Sequence, residues 1–109
     1  MAKLKLQPDP TFKAKVGIPI PGGEPVDVEF TFKHRDREAI QAYLEKLKGM
    51  VDQSIETDIQ IVQKVAAGWE LDDPFDEASI RLLCSNYHGA AWEISRKYIQ
   101  ELMHAKTGN

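Results

Sequence analysis

Five carboxylates lie close together in the second half of the chain, and clustered carboxylates are common ligands of Ca²⁺. They connect the end of one predicted helix to the start of the next: Glu70, Asp72, Asp73, Asp76 and Glu77. Their spacing lacks the alternate ligand positions and the central glycine of an EF-hand loop. Acidic residues at a helix start are favoured by the helix dipole. We therefore predict that the cluster caps a helix and solvates a loop, with no metal or other cofactor.

The histidines and the single cysteine do not form a catalytic or zinc-binding set. His34, His88 and His104 fall on different predicted elements, without the close pairing that zinc ligands show. Cys84 lies on an apolar helix face with no basic neighbour in sequence to stabilise a thiolate, so we predict a buried, slowly reacting thiol. A lone cysteine is also typical of a reducing cytoplasm. We predict that the chain is not an enzyme.

The composition is that of an ordinary soluble domain and disfavours two classes of partner. Of the 109 residues, 42% are hydrophobic and 28% are charged, which predicts one domain with a packed core. The net charge of −3 argues against nucleic acid, whose binding needs clustered lysine and arginine. No apolar run approaches the ~20 residues of a membrane span, and the first ten residues contain no signal-peptide pattern.

Two runs of alternating apolar and polar residues predict a β-hairpin over residues 11–34. Apolar side chains occupy the even positions on both sides of the glycine-rich loop at Pro21–Gly23, so one face is expected in the core and the other in solvent. Pairing Ile18 with Val28 would place all the apolar side chains on one side. Residues 1–10 contain two prolines and are predicted to form a flexible N-terminal arm.

Four segments with helical periodicity follow the hairpin. The central segment begins at Ser54, a suitable N-cap, and is predicted to stop at Gly68, because glycine adopts a left-handed C-cap easily. Alternation of Ile59 and Ile61 leaves a strand as the alternative there. The predicted helices span about residues 36–48, 54–67, 76–87 and 90–105. An isolated hairpin is marginal in water, so the predicted class is α+β: an N-terminal antiparallel β-hairpin packed on a small bundle of about four α-helices, forming one domain over residues 11–109.

Two features of this predicted fold could bind a partner. On the last helix, Trp92, Ile99 and Met103 form an apolar stripe beside the one expected to be buried, which is more apolar surface than one packing face needs. The stripe belongs either to the core or to a partner-binding site, where tryptophan often dominates the binding energy. The second feature is the hairpin edges, whose backbone groups another chain can extend unless lysines or solvent protect them.

A series of motifs runs through nearly the whole chain from Thr11 onward. It consists of Thr11–Val16 with Val26–His34, Arg35–Arg37, Ile61-Val62, Gly68–Leu71, Phe75-Asp76, Leu82-Leu83, Tyr87, Ala90-Ala91 and Tyr98. In the order and spacing of these motifs the chain resembles a family of tail assembly chaperones of tailed phages and bacterial prophages.

The resemblance implies a small protein of the bacterial host cytoplasm that is absent from the finished virion. Its implied partner is the tape measure protein, which it would bind and keep soluble while tail tube subunits polymerise around it; the tail tube protein is a further implied partner. The alternative is a structural tail component, such as a completion or connector protein. A structural component would remain in purified particles, whereas a chaperone would not.

Overall fold

Three strands and four helices make up the part of the chain that the structure, a computed structural model, describes: residues 4–50, residue 52 and residues 54–103. In chain order they are β1 (Thr11–Ile18), β2 (Val26–Lys33), α1 (Arg37–Lys48), α2 (Ile55–Val65), β3 (Ala66–Trp69), α3 (Glu77–Asn86) and α4 (Ala90–Met103). This architecture confirms the predicted α+β class, with an N-terminal antiparallel hairpin and four helices. The strand β3 was not predicted.

Most even-numbered side chains of the hairpin are buried or partly buried, as the alternation predicted, with Val26 as the exposed exception. The register of the hairpin differs from the expected one. Ile18 pairs with Val26, so the expected pairing of Ile18 with Val28 is wrong by two residues. A shift of two residues keeps every side chain on its original face, which explains why the buried face was still predicted correctly. In the observed register Phe12 lies opposite Phe32, with ring centroids 5.6 Å apart.

The helix α2 ends two residues earlier than its periodicity predicted, because the chain enters β3 without a loop. Ser54 is the N-cap, as predicted, and its side chain accepts a hydrogen bond from the next turn. The predicted C-cap at Gly68 is wrong: the helix ends at Ala66 in an extended conformation, and Gly68 pairs with Thr31 of β2. Hydrogen bonds to β2 satisfy the backbone N–H and C=O groups of this segment, which a longer helix would otherwise have paired within itself.

The sheet has the order β1-β2-β3, with both pairs antiparallel. The pairing of β2 with β3 is short and shifts register between Thr31 and Phe32, as in a β-bulge. One residue beyond β3, the backbone N–H of Glu70 donates to Glu29 O at 3.0 Å, and its carboxylate accepts from Glu29 N at 2.8 Å. These two bonds fix the end of β3 on the centre strand.

The helices α2 and α4 pack against the sheet, and all four helices share one core with it. The fully buried large side chains come from β1, β2, α2, α3 and α4: Val16, Phe30, Phe32, Ile61, Val62, Val65, Ile80, Ile94 and Tyr98. Asp36 and Asp76, the first residues of two predicted helices, cap α1 and α3, because their carboxylates accept from first-turn N–H groups at 2.9 Å.

The remaining predicted boundaries agree with the structure to within one residue, the usual uncertainty of helix ends. For α4, the last two residues of the predicted range 90–105, His104 and Ala105, lie outside the described residues. Residues 1–3 of the predicted arm also lie outside them. Residues 4–10 are exposed, and Lys5 forms an ion pair with Asp9 at 3.0 Å; the flexibility of the arm stays a prediction.

Candidate interaction surface

An apolar depression lies between α1 and α4, on the side of the helices away from the sheet core. Trp92 and Leu47 line both of its two adjoining grooves, which have volumes of about 450 Å³ and about 580 Å³. Ile99 completes the first groove, and Leu44 and Met50 complete the second. We call these five residues the α1–α4 surface.

The α1–α4 surface rests on a buried hydrogen bond that joins the two helices. The hydroxyls of Tyr43 on α1 and Ser95 on α4 are 2.9 Å apart, and both residues are buried. Burial raises the pKa of Tyr43, although the hydrogen bond with Ser95 and the charge of Arg35 act in the opposite direction. The hydrogen bond ties together α1 and α4, the two helices that line the depression.

The three residues predicted from the sequence differ in where the structure places them. Trp92 is 49% exposed and Met103 is 47% exposed, so neither belongs to the core. Ile99 is partly buried and packs against the core from the groove wall. Met103 lies one helical turn beyond Ile99, outside both grooves. The structure therefore joins Trp92 and Ile99 in one concavity, and contact of all three with a partner stays a prediction.

The α1 half of this surface was not recognised from the sequence. Ile40, Tyr43, Leu44 and Leu47 form one apolar stripe of α1, but only Ile40 and Tyr43 are buried. The stripe has the ordinary width of a core-facing helix face, so no sequence signal separated its partly exposed leucines from its buried residues. Met50 follows α1 in a segment without periodicity, so no sequence pattern could place it beside Trp92.

Basic side chains flank the α1–α4 surface. Arg96 lines the first groove and Lys48 lines the second. Each also forms an exposed ion pair within its own helix, Arg96 with Glu93 and Lys48 with Glu45. Exposed pairs of this kind are weak, so both cations are available to carboxylates at the border of a bound segment. The surface therefore combines an apolar floor with a basic rim.

Trp92 also borders a third groove, on its opposite side, which contains the cysteine. This groove has a volume of about 410 Å³ and is lined by Asp58, Cys84 and His88 among others. Burial and, to a smaller extent, the charge of Asp58 raise the pKa of Cys84 to about 11. The predicted burial of Cys84 is confirmed, since its exposure is 5%. A thiol with so high a pKa is a poor nucleophile at neutral pH.

The acidic cluster forms structural contacts. Asp76 caps α3, Glu70 binds the backbone of Glu29, and Glu77 lies 3.4 Å from Arg81. Among the described residues, no group of three or more His, Cys, Asp and Glu side chains could hold a metal ion. In the same part of the chain, no helix is both long enough and apolar enough to cross a membrane.

An apolar concavity between two helices, with a basic rim and a half-exposed tryptophan, is a kind of surface at which proteins bind one another. The sequence model of the family described as phage tail assembly chaperone matches residues 1–109. The chain therefore belongs to the phage tail assembly chaperone family, whose role is non-catalytic. Comparison with curated proteins and with solved structures gave no match.

Proposed function

We propose that this tail assembly chaperone binds the tape measure protein and thereby assists assembly of the tail tube, in the cytoplasm of the bacterial host. Family membership supports a role in tail assembly, and the resemblance on which the sequence prediction rested supplies the partner. The tail tube protein is the second proposed partner. On this proposal the protein leaves before the virion is complete.

The observation that carries the proposal is the exposure of Trp92 at the centre of an apolar depression. A tryptophan that is 49% exposed leaves much of its indole ring without protein contacts. Large aromatic side chains at the centre of a pocket, surrounded by apolar contacts that exclude water, are typical of residues that dominate binding energy. Trp92, Ile99 and Met103 are therefore the proposed partner-binding residues.

The depression suits an apolar segment with acidic residues at its borders. Its floor would receive apolar side chains, and burial of that surface would supply most of the favourable free energy. Arg96 and Lys48 on the rim would meet carboxylates, which contribute more to orientation and association rate than to affinity. Covering the apolar segments of an unassembled partner in this way would keep them from associating with one another.

Co-expression of the chain with the tape measure protein, followed by affinity purification, tests the proposal. Trp92→Ala is expected to weaken the complex by about 2 kcal/mol or more. Because the side chain is half-exposed, its removal should cost less stability than the ~3–5 kcal/mol lost with a buried tryptophan. Leu82→Ala is the matched control, since Leu82 is an apolar residue on α3 that is 65% exposed and lies outside the α1–α4 surface.

Two results would contradict this proposal at different levels. Co-purification that is unchanged by Trp92→Ala would remove the site but leave the partner. Failure to co-purify, together with detection of the chain in purified phage particles by immunoblotting, would contradict the chaperone function. The second result would favour the alternative, a structural tail component such as a completion or connector protein.

A further inference from the structure

The outer edge of β1 is an open strand edge of eight residues. β1 lies at the end of the sheet order and pairs only with β2 in the part of the chain that the structure describes. The other side of an edge strand presents backbone N–H and C=O groups with no partner strand. Proteins commonly recognise extended segments at such an edge, because main-chain hydrogen bonds supply affinity whatever the sequence.

The register identifies which backbone groups of β1 point outwards. His34 N donates to Pro10 O at 2.8 Å, so this position is one of the closely hydrogen-bonded pairs of the hairpin. Such pairs alternate with non-bonded pairs along an antiparallel ladder, and even-numbered residues of β1 therefore bond to β2. The backbone groups that point to the open edge belong to the odd-numbered residues of β1: Thr11, Lys13, Lys15 and Gly17.

A groove runs beside the second half of this edge, between the strand and α4. It has a volume of about 550 Å³, and its walls include Lys15 and Gly17 on the strand side and Arg96, Lys97 and Gln100 on the helix side. A segment added to β1 would direct alternate side chains into this groove and the others over the outer face of the sheet. The groove therefore provides room for the side chains as well as a backbone template.

The charges along the edge select the kind of segment. Lys13 and Lys15 are exposed on the outer face, and neither forms an ion pair within the described residues. The carboxylates in the groove are Asp27 on β2 and Glu93 on α4, and Glu93 already pairs with Arg96. Cross-strand pairs of opposite charge stabilise a sheet, so carboxylates at alternate positions of the added segment would lie opposite these lysines.

In the registers centred on residues 13–15, the same lysines disfavour a second copy of this chain as the occupant. Antiparallel pairing of β1 with itself places Lys13 opposite Lys15 when the symmetry axis passes through Ala14. An axis through either lysine places that lysine opposite itself. Like charges directly opposite each other destabilise a sheet, and lysines on an edge are a common protection against self-association.

We propose that the open edge of β1 binds an extended, acidic segment of another protein by strand addition, with carboxylates opposite Lys13 and Lys15. This site adjoins the α1–α4 surface at Arg96, which borders both grooves, but it does not depend on the identity of the partner bound there. A protein with both sites holds an apolar segment on one side and an extended acidic segment on another.

The test uses the full chain, labelled with ¹⁵N, and a synthetic peptide with blocked ends in which glutamate alternates with threonine. Peptide binding is expected to shift the amide signals of β1 and to slow hydrogen exchange at its odd-numbered residues. The even-numbered amides of β1 are already bonded to β2 and should change little. A second peptide, with lysine in place of glutamate, is the control for charge and should not bind.

Two variants separate the backbone contribution from the charge. Lys15→Pro removes an outward N–H, and proline is tolerated on an edge strand where that N–H has no partner, so affinity should fall roughly ten-fold. Lys15→Ala keeps the N–H and should lose less affinity. The double variant Lys13→Glu with Lys15→Glu should reverse the preference and bind the lysine peptide. The double variant Arg37→Glu with Lys46→Glu, at two exposed positions of α1, changes the net charge by the same amount and controls for it.

Three results would overturn the proposal. The first is the absence of binding by the glutamate peptide at millimolar concentration. The second is equal binding of the two peptides, which would show that charge does not select the segment. The third is a folded Lys15→Pro variant that binds as the parent does. If Lys15→Pro does not fold in a thermal melt, the charge-reversal variant decides, since its substitutions leave every backbone hydrogen bond in place.

Discussion

The guanidinium of Arg35 donates a hydrogen bond of 2.7 Å to the hydroxyl of Tyr98. That hydroxyl donates in turn to Lys33 O at 2.8 Å. The cation also lies over the rings of Tyr43 and Tyr98, at 5.1 Å and 5.7 Å from their centroids. Arg35 thus joins the end of β2 to α4 and to α1, and holds together the two helices that form the α1–α4 surface.

Removing the hydroxyl of Tyr98 is expected to destabilise the fold. Tyr98→Phe deletes both hydrogen bonds and leaves Lys33 O without its donor, at a cost of about 1–3 kcal/mol in the free energy of unfolding. Urea denaturation followed by circular dichroism measures this change. The control is Tyr87→Phe, because the Tyr87 hydroxyl makes no hydrogen bond within the described residues. Equal stability of the two variants would show that the Tyr98 network contributes little.

A charge on the inner face of the hairpin should prevent folding. Phe30 is 0% exposed, so Phe30→Asp would bury an unpaired carboxylate, at a cost of several kcal/mol. Val26→Asp, on the same strand, is the matched control because Val26 is 53% exposed, and its cost should stay near ~0.5 kcal/mol. Thermal melts compare the two variants. A parent-like melt of Phe30→Asp would contradict the observed burial.

The hairpin and the helices could be predicted because their signals are local. Period-two alternation identifies the buried face of β1 and β2 whatever the exact register, and capping residues such as Asp36 and Asp76 identify helix starts. The register itself was predicted wrongly because the loop gives no unique pairing. The observed pairing of Ile18 with Val26 places Phe12 opposite Phe32 and against Tyr98 of α4, a contact that only the folded chain supplies.

β3 could not be predicted because its reason for being a strand lies elsewhere in the chain. Its four residues continue the apolar pattern of α2, and Gly68 reads as a helix end when only neighbours are considered. Pairing with β2 makes this segment a strand. In that pairing Trp69 lies opposite Phe30, with their rings edge to face and their centroids 6.1 Å apart. For the α1–α4 surface, sequence predicted Trp92 and Ile99 but not Met50, which the fold alone brings near them.

Two glycines test whether Gly68 lies in a strand, as in the structure, or caps a helix, as the sequence suggested. Gly68→Ala should be neutral or stabilising by up to ~1 kcal/mol, because a Cβ there would meet only the Cβ of Thr31, at 4.0 Å. Gly22→Ala should cost about 1 kcal/mol, since Gly22 has a φ of 75°. Both values come from denaturation curves. A larger loss at Gly68 than at Gly22 would restore the left-handed helix cap that the sequence suggested.

The buried thiol gives the folded chain a pH dependence in the alkaline range. The pKa of Cys84 is raised to about 11 from 9.0, so the unfolded chain ionises first as pH rises. The contribution of the thiol to stability is therefore complete below pH 9.0 and is lost as pH rises to about 11. The pH dependence of unfolding, measured for the parent and for Cys84→Ala, should differ in this range.

Thiol labelling provides an independent measurement of the same group. At pH 8 a pKa of about 11 in place of 9.0 lowers the thiolate fraction of Cys84 roughly 100-fold relative to an unperturbed cysteine. Burial of the side chain also slows access of the reagent. The native chain should therefore react far more slowly than the chain in urea. Asp58→Asn should increase the native rate modestly, since the Asp58 charge contributes to the raised pKa. Rapid labelling of the native parent would contradict the burial of Cys84.

The two borders of the sheet differ in length, and the difference bears on higher assembly. β1 offers eight residues, whereas β3 offers four and adjoins a bulge. A strand as short as β3 is a poor template for regular pairing. Head-to-tail stacking of sheets into a filament needs two matching borders on every molecule. With one long border among the described residues, a complex formed by strand addition to this protein is expected to end after one added segment.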